Sequence, residues 1–183
     1  MKRLRIAWIS LWTLMSAGML IAADLPAPLH DVKPALTLVG AAKLTSLFIH
    51  VYDIALYAPE STYTTNGTAV LCIRYNISIK RQRLQETTLE EWRRLGKGDD
   101  VQLAQWIKQL DSLWPDVKSG DRLTAYMVGN GTTQFYFGDR LLGEITDSAF
   151  GPAFFAIWLD VNCSYPKIRD ELMSVKEAKE KGR

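Results

Sequence analysis

The sequence predicts an α+β domain in which a large, mainly antiparallel sheet is backed by helices. Two observations carry this reading. Segments of strand character come first, two segments with helical periodicity follow, and a strand meander and two more helical segments close the chain. No regular strand–helix–strand alternation is visible, which argues against a parallel sheet. No repeat or linker divides the chain, so residues 24–183 read as one domain.

The N-terminus stands apart from that domain. Lys2, Arg3 and Arg5 precede an apolar run that ends at Ala22 and Ala23, the pattern of a secretory signal peptide over residues 1–23. The alternative is an uncleaved anchor, for which a run of about 17 residues is at the lower limit. Cleavage and a periplasmic location are the expectation, with no stable membrane span afterwards. Three of the 22 basic side chains then leave with the signal, so 19 face 20 acidic ones. Without a basic stripe, nucleic acid is not an expected partner, because its affinity comes largely from phosphate neutralisation.

The strands are expected at residues 35–39, 47–58 and 69–77, with Asn66 and Gly67 in the turn before the third. Alternation along the second puts Phe48, His50, Tyr52, Ile54 and Leu56 on one face, and Ile49, Val51, Asp53, Ala55 and Tyr57 on the other. Both faces are largely apolar, so this strand is expected to be covered on each side. Ser78 is a candidate cap for a helix whose stripe is Leu84, Thr88, Trp92 and Leu95, ending at Gly96. Asp99 and Gln102 suggest a capping box for a second helix with Leu103, Ile107, Leu110 and Trp114 inward, stopped by Pro115.

Residues 122–128, 132–137 and 140–145 then read as a three-stranded meander, separated by glycine turns. Asp147 opens an apolar helix containing Phe150, Phe154, Phe155 and Trp158. A last helix follows Pro166 with Ile168, Leu172 and Val175 inward. The alternating charges from Lys176 to Lys181 read as a solvated helix end.

Chemical motifs are sparse. The chain has 2 histidines, His30 and His50, with no second ligand at metal spacing, so neither a metal nor a cofactor is expected. No nucleophile elbow, phosphate-binding glycine loop or C-x-x-C motif occurs. Cys72 and Cys163 allow either one disulfide after export or two buried thiols, and their spacing does not decide.

Several strings, in order, resemble the chalcone isomerase-like superfamily, and more narrowly its bacterial exported branch. They are Val39-Gly40-Ala41-Ala42-Lys43-Leu44, Phe48-Ile49-His50-Val51-Tyr52-Asp53-Ile54-Ala55-Leu56-Tyr57, Trp92-Arg93-Arg94-Leu95-Gly96, Gly143-Glu144-Ile145 and Phe154-Phe155-Ala156-Ile157-Trp158-Leu159. The resemblance implies an open-faced β-sandwich with a cleft between sheet and helices. Plant enzymes of the superfamily cyclise chalcones, steering a phenolate with an arginine and holding the ketone and a water through a threonine, a tyrosine and an asparagine. Other members bind fatty acids through an arginine and a tyrosine.

Carried over to this chain, the resemblance puts Tyr52 at the threonine position, where the fatty-acid-binding members also use tyrosine. Lys80 falls at the enzyme's tyrosine, Thr87 at its asparagine and Lys43 nearest its arginine. The ketone-holding pair is therefore missing, and no catalytic residue is assigned. The expected ligand-binding residues are Tyr52, Lys43, Arg74, Thr87 and Trp92. For four of them a bland role competes: Tyr52 bonded to backbone, Lys43 solvated, Arg74 paired with Asp53, Trp92 in the core.

The expected function is non-catalytic binding of a small apolar ligand, fatty-acid-like or an aromatic carboxylate. Alternatives are an isomerase acting on a chalcone-like enone and a structural or partner-binding envelope protein. Tight packing around the Tyr52 hydroxyl would favour the last.

Overall fold

The structure, a computed structural model, describes residues 24–129 and 131–173. A short 3₁₀ turn (Ala27–Leu29) precedes β1 (Leu36–Ser46), β2 (Ile49–Pro59) and β3 (Ala69–Tyr75). Then come α1 (Arg81–Arg94), α2 (Asp100–Leu113), β4 (Arg122–Met127), β5 (Thr133–Phe137), β6 (Arg140–Ile145), α3 (Phe150–Leu159) and α4 (Pro166–Met173). The expected signal segment, Val175 and the charged run from Lys176 lie outside the described residues.

The six strands form one sheet in chain order, antiparallel throughout. β3 and β4 are neighbours although α1 and α2 separate them in sequence, so the two halves of the chain close one continuous sheet. The sheet is open, and its two faces differ. The helices cover one face, where Ile54, Leu56, Leu71, Phe135, Trp92 and Trp106 belong to a single core. On the other face Ala55, Val70, Cys72, Tyr126 and Tyr136 pack with Leu25 and Leu29 of the N-terminal segment. The alternation of apolar residues on both faces of β2 and β3 follows from this double cover.

Within the main core, Trp92, Trp106 and Phe150 meet edge to face, with centroids 5.1–5.7 Å apart. Burying such a side chain contributes about 1.5–3 kcal/mol each, so this cluster ties α1, α2 and α3 together. The α3 helix is buried at every position except Pro152, as its unbroken apolar sequence requires.

Local details depart from the sequence reading, each for a physical reason. β1 continues past Val39 to Ser46, through Gly40, Ala41 and Ala42, residues of poor strand propensity. Gly40 is there because α4 crosses it: a Cβ would lie 2.3 Å from the Leu172 carbonyl oxygen and 2.4 Å from that of Glu171.

The α1 helix is capped not by Ser78 but from outside. Lys80 occupies the N-cap position, and Asp116 accepts from the Arg81 amide and the Lys80 ammonium, both at 2.8 Å. Asp99 does cap α2, accepting from the Gln102 amide at 2.9 Å. The Gln102 side chain, however, reaches Asp147 at 3.2 Å, so only half of the expected box forms.

Both cysteines are free and buried. Cys72 lies on the sheet face away from the helices and Cys163 follows α3, so the sheet separates them. Burial pushes the Cys72 thiol up to about 12.

Candidate functional site

The face of the sheet that carries Tyr52 does not meet the helices everywhere. Beside it lies a cleft of about 610 Å³, within the range of small-molecule sites. Its floor is Leu44, Val51, Tyr52, Ile73, Tyr75, Leu123 and Phe135 of the sheet. Its roof is Arg83, Leu84, Thr87, Thr88 and Glu91 of α1 with Phe154, Ile157 and Trp158 of α3, and Tyr165 closes one side.

Tyr52 reaches this floor through an irregularity. In the β1–β2 ladder Leu44 pairs with Tyr52 and Thr45 with His50, so Val51 is an extra residue, a β-bulge. Val51 and Tyr52 therefore both line the cleft, and simple alternation fails below them. His50 crosses to the face of Asp53, with the two 3.0 Å apart, and Asn76 donates to Asp53 at 3.1 Å. Sequence periodicity placed His50 beside Tyr52; the bulge removes it.

The Tyr52 hydroxyl accepts from the Trp158 indole Nε1–H at 2.8 Å. A phenol oxygen can accept and donate at once. No donation by Tyr52 is seen among the described residues, so its hydroxyl can still donate. Tyr75 meets Tyr52 edge to face at 6.0 Å, and its hydroxyl has no hydrogen bond among the described residues. Burial drives both phenols well above the ordinary tyrosine range, the Trp158 bond only partly offsetting it at Tyr52. Both therefore stay protonated at any ordinary pH, as hydrogen-bond donors.

The charges of the cleft are arranged along α1. Arg83 sits at the mouth, with a loose 3.5 Å pair to Glu86. Glu91, eight residues and about 12 Å further along the helix, is buried, accepting from Arg94 at 2.7 Å and from Ser164 at 2.8 Å. Arg83, also 3.8 Å from Glu90, thus lies at the start of α1, and the Glu91–Arg94 pair lies at its end.

Of the residues expected to bind a ligand, Tyr52 and Thr87 line the cleft. Lys43 and Arg74 do not: they are cross-strand neighbours of Asp53 on the opposite face. Arg74 pairs with Asp24 at 3.5 Å, while Asp53 takes His50 and Asn76 in its place. Trp92 is fully buried in the core, donating to the Ala153 carbonyl at 3.0 Å. Lys80, at the position of the enzymes' tyrosine, is exposed and bound to Asp116.

Tyr75, Arg83, Glu91 and Trp158 were not foreseen. The only sequence signal for Tyr75 is its place near the end of a strand adjacent to that of Tyr52, and Arg83 falls outside every quoted string.

A second depression, of about 410 Å³, lies between Tyr63, Trp106 and Asp160, where Lys97 and Asp160 already satisfy each other at 2.8 Å. Among the described residues, no cluster of three or more His, Cys, Asp or Glu side chains is placed to hold a metal. No helix among them is long and apolar enough to cross a membrane.

Comparison with known proteins agrees with this architecture. The chalcone isomerase-like sequence profile matches residues 20–174. An uncharacterized protein of Haemophilus influenzae is 29% identical over 136 residues, 74% of this chain and 66% of that protein, just under two thirds of its length. The crystal structure of a fatty-acid binding protein of Arabidopsis thaliana superposes with a TM-score of 0.59 at 10% identity, covering 78% of this chain and 88% of that one. At that identity the likeness concerns the fold.

Proposed function

The chain belongs to the chalcone isomerase-like family, and from that premise we propose that it is a non-catalytic, exported binding protein for a small apolar ligand carrying a carboxylate, a fatty acid being the best fit. One observation carries the reading: an apolar cleft adjoins Tyr52, whose hydroxyl is held by a side chain and not sealed by main chain. Aliphatic and aromatic walls suit a hydrocarbon tail. Arg83 is the cation among the residues lining the cleft, whereas Glu91 is already compensated by Arg94 and Ser164, so the ligand lies with its carboxylate at Arg83 and its tail toward Phe135 and Phe154.

The Arabidopsis neighbour is a fatty-acid binding protein, which supports this choice. An isomerase reading is weaker, because the sheet separates Lys43 from Tyr52 and so removes the expected steering cation from the phenol. Export to the periplasm rests on the N-terminal sequence pattern.

Native mass spectrometry of gently extracted protein, followed by a panel of medium- and long-chain fatty acids, tests the proposal. Bound or acquired fatty acid is the expected result. Protein that emerges empty and ignores the whole panel would rule the reading out.

A further inference from the structure

The loop joining β1 and β2 is built from the wrong residues for its shape. It has two residues, Leu47 and Phe48, both in the left-handed region at φ 47° and 68°. Such a loop asks for Asn-Gly or similar, because a bulky side chain at positive φ is strained. The same residues are 88% and 102% exposed, and the adjoining Ile49 is 55% exposed. Nothing within the described chain explains three exposed apolar residues at the apex of a strained turn.

The location of the turn supplies an explanation. Tyr52 pairs with Tyr75, and the Asn76 amide donates to the Val51 carbonyl at 2.8 Å. The hairpin tip, the exit of β3 and the first turn of α1 therefore gather at one end of the sheet. Leu44, Thr45 and Ser46, leading directly to the tip, line the cleft, as does Arg83. From Lys43 to Tyr52 the chain has no acidic residue.

We propose that this tip inserts into a lipid bilayer surface and seats the mouth of the cleft against it, so that ligand passes between membrane and cleft without crossing water. An apolar apex with Thr45, Ser46 and His50 behind it, and Lys43 and Arg83 further back, matches the order of layers met on entering a membrane from its headgroups. A convex finger of three residues is a poor centre for a protein interface, which needs a broader flat or concave core. The purpose assigned to the insertion rests on the ligand-binding reading; the insertion itself does not.

The double variant Leu47→Asn/Phe48→Gly tests this directly, because it supplies the residues that the turn prefers and so keeps the fold while deleting the apolar apex. Co-sedimentation with vesicles of phosphatidylethanolamine and phosphatidylglycerol should retain the original protein. The variant should partition at least about tenfold less. Transfer of a fluorescent fatty acid from vesicles should slow in parallel, while equilibrium binding of the same fatty acid from vesicle-free solution stays unchanged.

Original protein that remains in the supernatant, or a variant that sediments equally, overturns the proposal. Tip-dependent self-association without vesicle binding would overturn it in favour of a protein partner. Loss of fatty-acid binding by both proteins with tip-dependent sedimentation intact would sink the ligand reading and leave membrane insertion standing.

Discussion

The indole N–H of Trp158, in the roof of the cleft, donates to the hydroxyl of Tyr52 in its floor, 2.8 Å apart and 106 residues apart in sequence. This bond fixes the direction of the phenol's remaining lone pair and proton. Tyr52→Phe should therefore act twice. It leaves a buried indole donor unpaired, lowering stability by about 1–3 kcal/mol in denaturant unfolding. It should also weaken fatty-acid affinity roughly threefold to tenfold, the effect of one lost hydrogen bond. Tyr126→Phe, on the opposite sheet face, should leave affinity unchanged.

Arg83 is the cation placed at the cleft mouth, and the two cations suggested by sequence lie behind the sheet. Arg83→Gln should reduce affinity for a fatty acid roughly threefold to thirtyfold, an effect that shrinks as salt rises. Lys43→Ala and Arg74→Ala should each change it by less than about twofold. Titration calorimetry or dye displacement at two salt concentrations checks all three. Equal losses from Lys43→Ala would contradict the assigned orientation.

All seven tyrosines, from Tyr52 to Tyr165, are shifted above the ordinary phenol range, by burial first in every case. Tyr57 and Tyr63 reach about 12. A phenol that holds its proton longer when folded contributes stability fully present below the unfolded value near pH 10 and lost as pH rises through the folded value. Stability should thus fall steeply between about pH 10 and 12. Tyrosinate absorbance should lag behind free tyrosine and then rise abruptly with unfolding; a gradual rise from about pH 10 in folded protein would count against the burial described.

Asp147 ties α2 to the start of α3, accepting from the Ala149 amide at 2.9 Å, Trp106 Nε1 at 2.8 Å and Gln102 Nε2 at 3.2 Å. Burial opposes its charge, yet these bonds prevail and hold its carboxyl below the usual range. The resulting stability is present above the unfolded value near 3.9 and is lost as pH falls through the folded one. Asp147→Ala should cost about 1–3 kcal/mol at neutral pH, and the difference from the original protein should narrow below about pH 4 in acid-unfolding curves.

The sequence by itself determined the class of fold and most of the order of its elements. Residue periodicity and turn chemistry are local properties, and the glycine-bounded meander from Arg122 to Ile145 and the apolar helix around Phe154 were legible from them. The candidate site was legible only at Tyr52 and, through the resemblance, at Thr87.

Tertiary structure decided the remainder, because it depends on contacts between distant segments. The run through Gly40 reads as a strand only once α4 is seen crossing it. The α1 cap at Asp116 comes from beyond the following helix. A single bulge at Val51 shifts the side-chain parity of β2, sending His50 behind the sheet and leaving Tyr52 over the cleft. Which cation lines the cleft was likewise a question of sheet faces: Lys43 and Arg74 share one with Asp53, while Arg83 reaches the other from a helix laid across it.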